Sequence, residues 1–268
     1  MKPKKPLLAA ALAACATGMP AVSGAQSGAQ SGVPEPPHSL SANMTLASEY
    51  RFRGIGQTNR KPAVQAGLDY AHAGGLYVGT WGSNVSWLSD GAAPVSNSVE
   101  MDLYGGYRIS AGGIDYDFGV LRYFYPGRYP AGFTSPHTTE LYASASWRNL
   151  SLKYSHAVTN LFGVDDSKGS GYLDLSGEFE LGAGFGLLAH VGYQRIPSGS
   201  VGGIQVRARS DCSYADWQLG VTKEHAGLSW GLSYIDTNAR GEAGECYRNA
   251  FDRDLGKATV VLSVGRTF

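Results

Sequence analysis

The sequence predicts an all-β protein: an up-and-down antiparallel transmembrane barrel of about twelve strands, with short periplasmic turns and long external loops. Three observations carry that expectation. Of 268 residues, 37 are Gly and 16 are Tyr, while only 16% are charged against a globular norm of about 25%. So much Gly makes helix a poor choice for most of the chain. Apolar and polar residues alternate with period two in a dozen segments, most of roughly ten residues, longer than the five or six of an ordinary soluble strand. The connections between these segments alternate long and short, which gathers every large loop at one end.

Composition also excludes. The formal net charge is zero and no run of five or six like charges occurs, so nucleic acid is not an expected partner. No apolar run of 18 residues follows the N-terminal region, which removes helical membrane spans. An apolar content of 43% serves equally for a core or for a surface facing lipid.

Taken in order, the chain opens on Lys2, Lys4 and Lys5, an apolar stretch over 7–14 and Ser23-Gly24-Ala25 as small residues before a cleavage point, so 1–25 reads as a secretory signal peptide. Leu12-Ala13-Ala14-Cys15 is similar to a lipobox, which leaves lipidation at Cys15 open beside ordinary cleavage. Losing three Lys turns 22 bases against 22 acids into 19 against 22, a mature charge of −3. Residues 26–38 form a Ser-, Gly-, Gln- and Pro-rich lead-in, and 39–268 the barrel. Past the signal only Cys212 and Cys246 remain, and an oxidising compartment favours joining them. No Cys-x-x-Cys occurs and the six His residues are scattered, so neither a metal nor another cofactor is expected.

Alternation predicts the first strand over 40–53, with Leu40, Ala42, Met44, Leu46, Tyr50 and Phe52 on one face and Glu49, Arg51 and Arg53 on the other. Further strands are predicted at 63–72, 76–85, 98–108, 114–125, 139–147, 150–159, 171–181, 185–195, 213–223, 228–236 and 257–268. Aromatic residues stand near strand ends on the apolar face (Tyr50, Phe52, Tyr70, Tyr107, Phe124, Trp147, Tyr193, Tyr234), where a lipid-facing wall needs its two girdles. Twelve strands also enclose more space than side chains readily fill, so an apolar lining would leave a void. The chain stops on Phe268, with Val260, Leu262 and Val264 in phase before it. This resembles the C-terminal aromatic signal read by the machinery that inserts outer-membrane barrels, although Arg266 breaks the apolar phase.

Five segments carry a resemblance to a known family. They are Leu46-Ala-Ser-Glu-Tyr-Arg-Phe-Arg-Gly-Ile-Gly-Gln-Thr-Asn with Lys61-Pro-Ala-Val-Gln-Ala-Gly-Leu-Asp-Tyr70 and Tyr77-Val-Gly-Thr-Trp-Gly-Ser-Asn-Val85, then Phe118-Gly-Val-Leu-Arg-Tyr-Phe-Tyr-Pro-Gly127, and the terminal Val264-Gly-Arg-Thr-Phe268. Together they resemble the TorF family, conserved hypothetical proteobacterial proteins grouped with porins. The resemblance implies an outer-membrane barrel that forms a pore and implies no particular substrate. Cys15, Arg122 on the outward phase of its strand, and Arg266 depart from the pattern.

The phase opposite the apolar one assigns Glu49, Arg51, Arg53, Asp69, Glu100, Asp102, Arg108, Asp115, Asp117, Glu140, Lys153, Asp174, Glu178 and Asp216 to the lumen, with His190 and Gln194. A charge beside lipid is expensive, so ten acids and four bases must line water or one another. They can set selectivity, with surplus acid favouring cations or neutral solutes. They can equally hold the wall together, with Arg51, Arg53 and Arg108 paired to Glu49, Glu100 and Asp102. The expected role is passive diffusion of small hydrophilic solutes, with outer-membrane lipid and the insertion machinery as partners; the loop over 126–138 is a candidate cover for the mouth. Two alternatives stand beside it: a plugged structural or adhesive barrel, and a lipid-modifying enzyme whose best candidate residues are Ser155 and His156. Adjacent strand residues point to opposite faces, which counts against that dyad. Whether the barrel is a monomer or a trimer is not read from the sequence.

Overall fold

The computed structural model describes residues 37–91, 94–197 and 212–268. The predicted signal peptide, the lead-in up to residue 36, and 198–211 of one long loop lie outside the described residues.

Twelve strands form one closed antiparallel barrel, and no α-helix occurs among the described residues. They are β1 (His38–Ala47), β2 (Ala63–His72), β3 (Leu76–Asn84), β4 (Val99–Ala111), β5 (Ile114–Phe124), β6 (Thr138–Trp147), β7 (Leu150–Ala157), β8 (Gly171–Gly182), β9 (Phe185–Arg195), β10 (Tyr214–His225), β11 (Leu228–Thr237) and β12 (Thr259–Thr267). Each pairs with its neighbours in sequence, and β1 closes the ring by pairing β2 from His38↔His72 to Ala47↔Ala63 and β12 from Asn43↔Thr267 to Ala47↔Ser263. Closure leaves no sheet edge to bond another chain or to lie unsatisfied in lipid.

Local geometry explains the tight end. Gly112 and Gly113 both have positive φ (62° and 77°), as a two-residue type I′ hairpin turn requires, and Ala226-Gly227 does the same at 54° and 74°. At the opposite end the connections run over 48–62, 85–98, 125–137, 158–170, 196–213 and 238–258.

The outward phase carries apolar side chains all round: Leu141, Leu152, Leu173, Leu219, Leu232 and Leu262 are each about half exposed or more. A wall of exposed Leu, Val and aromatic residues on every strand is a surface for hydrocarbon, since monomeric soluble proteins keep contiguous apolar patches small. Trp147, Tyr107, Phe124, Tyr193 and Tyr234 project outward near strand ends as expected. The two departing arginines also find a place. Arg266 lies with its guanidinium 4.9 Å from the Phe268 ring at the turn end, and Arg122 donates to Thr139 Oγ1 at 2.7 Å near the loop end, so each stays close to an interface.

The first predicted strand is corrected. Period two continues in sequence to Arg53, yet β1 ends at Ala47 and the chain turns into the barrel. Arg51–Phe52 and Ile55–Gly56 form a short hairpin turned by Arg53 and Gly54 at φ 48° and 78°. A Cβ on Gly54 would lie 2.8 Å from Asp216 of β10, so only glycine lets the hairpin tip approach the far wall. Tyr50 and Phe52, predicted for the lipid girdle, are therefore inside: Tyr50 is 3% exposed and Phe52 packs edge-on against Tyr123. Alternation cannot separate these outcomes, because a strand in the wall and a strand folded inward carry the same period.

Candidate functional site

The inner wall explains the Gly and Tyr content. On β3 to β9, inward Tyr rings lie across glycines of the adjoining strand: Tyr104 over Gly79, Tyr77 over Gly106, Tyr142 over Gly119 and Tyr172 over Gly192. A Cβ on Gly79 would sit 2.5 Å from the Tyr104 ring, so the small residue makes room for the large one. The Tyr hydroxyls then hold acids in place. Tyr104 donates to Asp69 Oδ1 at 2.5 Å, Tyr77 to Asp117 Oδ1 at 2.6 Å, and Tyr77 and Tyr142 share a hydroxyl contact.

The inward hairpin spans the lumen. Arg53 makes a bidentate pair with Glu140 of β6 (3.0 and 2.8 Å), donates to Gln194 Oε1 of β9 at 2.8 Å, and stacks 4.2 Å from the Tyr172 ring of β8. Arg51 pairs with Glu49 at 3.1 Å and donates to the Leu255 carbonyl at 2.7 Å. Tyr50 donates to Glu100 Oε1 of β4 at 2.9 Å and meets Trp81 of β3 edge-on. Hydrogen bonds from Ser86 N and Trp87 N to the Gln57 carbonyl tie the hairpin to the next loop. Above it Trp87, Tyr123, Tyr125 and Phe162 close an aromatic layer.

A second cluster faces it. His190 of β9 bridges Asp174 Oδ2 (3.0 Å) and Asp216 Oδ1 (2.8 Å), and Tyr172 donates to Asp216 Oδ2 at 2.9 Å. Lys153 lies 4.2 Å from the Tyr142 ring. Towards the turn end Arg108 pairs with Asp117 at 3.3 Å and stacks 4.1 Å from the Tyr77 ring.

The predicted residues thus fall into groups. Glu49, Arg51, Arg53, Glu100, Glu140, Asp174, His190 and Asp216 meet around the hairpin, with Asp69 and Asp102 on the adjoining wall. Arg108 lies nearer the turn end, and Glu178 there is exposed. Of the expected pairs Arg51–Glu49 forms, and the other two are corrected: Arg53 takes Glu140 and Arg108 takes Asp117, while Glu100 and Asp102 pair with no arginine among the described residues. Cross-strand partners follow from register and from the hairpin's path, neither of which the sequence prints. The inward tyrosines were missed, although Tyr104, Tyr123 and Tyr142 stand on the polar phase of their strands, where a count of aromatics would have pointed to a filled interior. The loop over 126–138 does contribute, with Tyr129 and Phe133 packed partly buried against the aromatic layer, but the hairpin is the segment that crosses the lumen.

Outside the wall, Cys212 and Cys246 form a disulfide with Cα atoms 5.6 Å apart, tying the start of β10 to the loop before β12. Tyr247 donates to the Cys212 carbonyl at 2.5 Å, and burial pushes its phenol up from its ordinary pKa. Burial, with Arg122 nearby, holds His137 below its usual value, in keeping with its Nδ1 accepting from Tyr125 N at 3.1 Å.

A closed antiparallel barrel with an apolar outer wall, a charged interior, short turns at one end and long loops at the other is a transmembrane β-barrel. The chain belongs to the family described as "Bacterial protein of unknown function (Gcw_chp)", which it matches over residues 31–268. No curated protein matches it in sequence. Among solved structures it is similar to the KdgM porin (7% identity, TM-score 0.49, 85% of this chain and 98% of that one) and to the NanC porin (10%, 0.47, 85% and 98%). It is also similar to Pseudomonas aeruginosa OprD (16%, 0.41, 87% and 66%). At such identities and TM-scores these are likenesses of architecture, and nothing about cargo follows from them.

Proposed function

We propose that this protein is an outer-membrane channel of porin type through which small hydrophilic solutes diffuse passively, with cations and neutral solutes favoured. What supports the reading is the contrast across the wall: apolar side chains exposed outside on every strand, and polar and charged side chains, carboxylates more numerous than bases, buried among tyrosines within. Buried carboxylates in a lumen exclude anions by the same Coulomb term that attracts cations. The lumen residues Asp69, Glu140, Lys153, Asp174, Glu178, His190 and Asp216 then set selectivity, together with the pairs that brace the hairpin. The narrower TorF assignment, signal cleavage after residue 25 and recognition of Phe268 by the insertion machinery belong to the same proposal.

The plugged barrel is the second reading, favoured by how completely the hairpin and its aromatic cover fill the loop-side half. The enzyme reading has less behind it: Ser155 is buried on the inner face and its neighbour His156 is exposed on the outer one. Refolded protein in planar bilayers separates the readings. Stepwise conductance with cation preference supports the channel; silence together with flat liposome swelling overturns it in favour of the plug.

A further inference from the structure

The inward hairpin is held at its tip by the Arg53–Glu140 pair and at its base by the loop over 238–258. Gly56 N and Arg51 Nη1 both donate to the Leu255 carbonyl, at 2.9 and 2.7 Å. Arg253 Nη1 donates to the Asn59 carbonyl at 2.9 Å, and Asn249 Nδ2 to Asn59 Oδ1 at 3.2 Å. These contacts fall where the backbone is strained. Asn59 and Arg60 hold φ at 52° and 61°, a left-handed conformation that persists in non-glycine residues where the surroundings impose it. The loop is itself pinned: Leu255 N donates to the Tyr247 carbonyl at 2.9 Å, Tyr247 donates to the Cys212 carbonyl and meets the Tyr214 ring edge-on, and its neighbour Cys246 is joined to Cys212 at the start of β10. The connection from the disulfide to the hairpin passes through Tyr247 and Leu255.

We propose that the loop over 238–258 is a redox-sensitive clasp: with Cys212 and Cys246 joined it seats the hairpin, and their reduction by a dithiol loosens the hairpin in the lumen. Cys246 is an exposed residue, which opens the bond to attack from outside. A thiolate of the dithiol bonds to Cys246 Sγ as the protein disulfide breaks, and Cys212 departs as a thiolate and takes up a proton. The second thiolate of the dithiol then displaces Cys246, which is protonated in turn, leaving two protein thiols and an oxidised dithiol. Two electrons have passed to the protein. The freed loop regains the conformational freedom that the cross-link removed, so ordering Asn249, Arg253 and Leu255 against the hairpin becomes more costly. Strain at Asn59 and Arg60 acts in the same direction. The tip stays paired to Glu140, so the effect is more frequent opening and not a permanent exit. The clasp does not depend on the channel reading, and a barrel that conducts nothing could carry it as well.

Trypsin reads the hairpin directly. Arg51 and Arg53 are 2% and 5% exposed, so the bonds after them are cut when the hairpin opens. Full-length protein refolded in detergent is digested with limiting trypsin and its fragments are mapped by mass spectrometry. Treatment with dithiothreitol should speed cutting after Arg51 and Arg53 by about fivefold or more, while the heat-modifiable mobility stays that of a folded barrel. The double variant Cys212→Ser, Cys246→Ser should be cut at the faster rate with or without the dithiol. Arg253→Gln leaves the disulfide intact and removes one clasp contact, so it should speed the same cuts about twofold in oxidised protein, and dithiothreitol should speed them further. Equal cutting before and after treatment, with Cys212 and Cys246 both found alkylated, overturns the proposal. So does loss of the folded mobility on reduction, since the disulfide would then hold the wall and not the hairpin. A disulfide that the dithiol cannot reach in the folded barrel overturns it too.

Discussion

The loop-side and turn-side halves of the lumen are written in one alternating pattern and packed in opposite ways. On the loop side the inward residues are sealed: Ala63, Glu100, Tyr123, Thr138, Glu140, Ala157 and Asp216 are each 2% exposed or less. On the turn side Ser41, Ala71, Arg108, Asp117, Ser144, Ser146, Ser151 and Ser176 remain partly accessible, and Asp115 and Glu178 are exposed. The difference comes from one segment. The chain after β1 turns inward and brings Tyr50, Phe52 and Arg53 into the loop-side half, whereas the connections at the other end are too short to reach inside. A twelve-stranded barrel leaves the interior unfilled by its own wall, and here a loop packs into its loop-side part. On the proposed channel reading, the barrier to solutes therefore lies on the loop side.

The most direct way to break that contrast is to remove its cause. Replacing 49–60 by a short Gly-Ser linker should open the loop-side half and raise single-channel conductance several-fold, read in planar bilayers on protein whose heat-modifiable mobility shows a folded barrel. Conductance equal to the parent would place the barrier elsewhere. Next in size, Glu140→Ala leaves Arg53 buried without its carboxylate and should destabilise the barrel by about 3–5 kcal/mol in urea unfolding from lipid vesicles. The matching change on the open side, Arg108→Gln, removes a pair whose side chains are 28% and 23% exposed, so screening should hold its effect to about 0–1 kcal/mol. Similar losses for the two would erase the distinction between the halves. The smallest effect concerns the turn end alone: Ala226 holds φ at 54°, and Ala226→Gly should stabilise by up to about 1 kcal/mol by relieving the left-handed strain.

Much of this fold was legible because membrane barrels encode it locally. Period two over segments such as 185–195 and 228–236 reproduces β9 and β11 within a residue, since each strand must face lipid on one side and the lumen on the other. The long and short connections placed every loop at its proper end for the same reason. The lumen was legible as a set of residues and not as contacts. Alternation put Arg53 and Glu140 inside, but 87 residues separate them, and only the inward turn at Ser48 brings them together. The same turn took Tyr50 and Phe52 out of the lipid girdle and into the barrel.

What the sequence by itself determined is which face of each strand meets hydrocarbon, because that choice is paid residue by residue in transfer free energy. What the tertiary structure alone decided is which inward residues meet one another. Closure sets which strands are neighbours, register sets which side chains are opposite, and the inward hairpin reaches across to walls that no local pattern connects. Glu100 and Asp102 mark the boundary between the two: alternation turned them inward, and the packing around them pairs them with no base among the described residues.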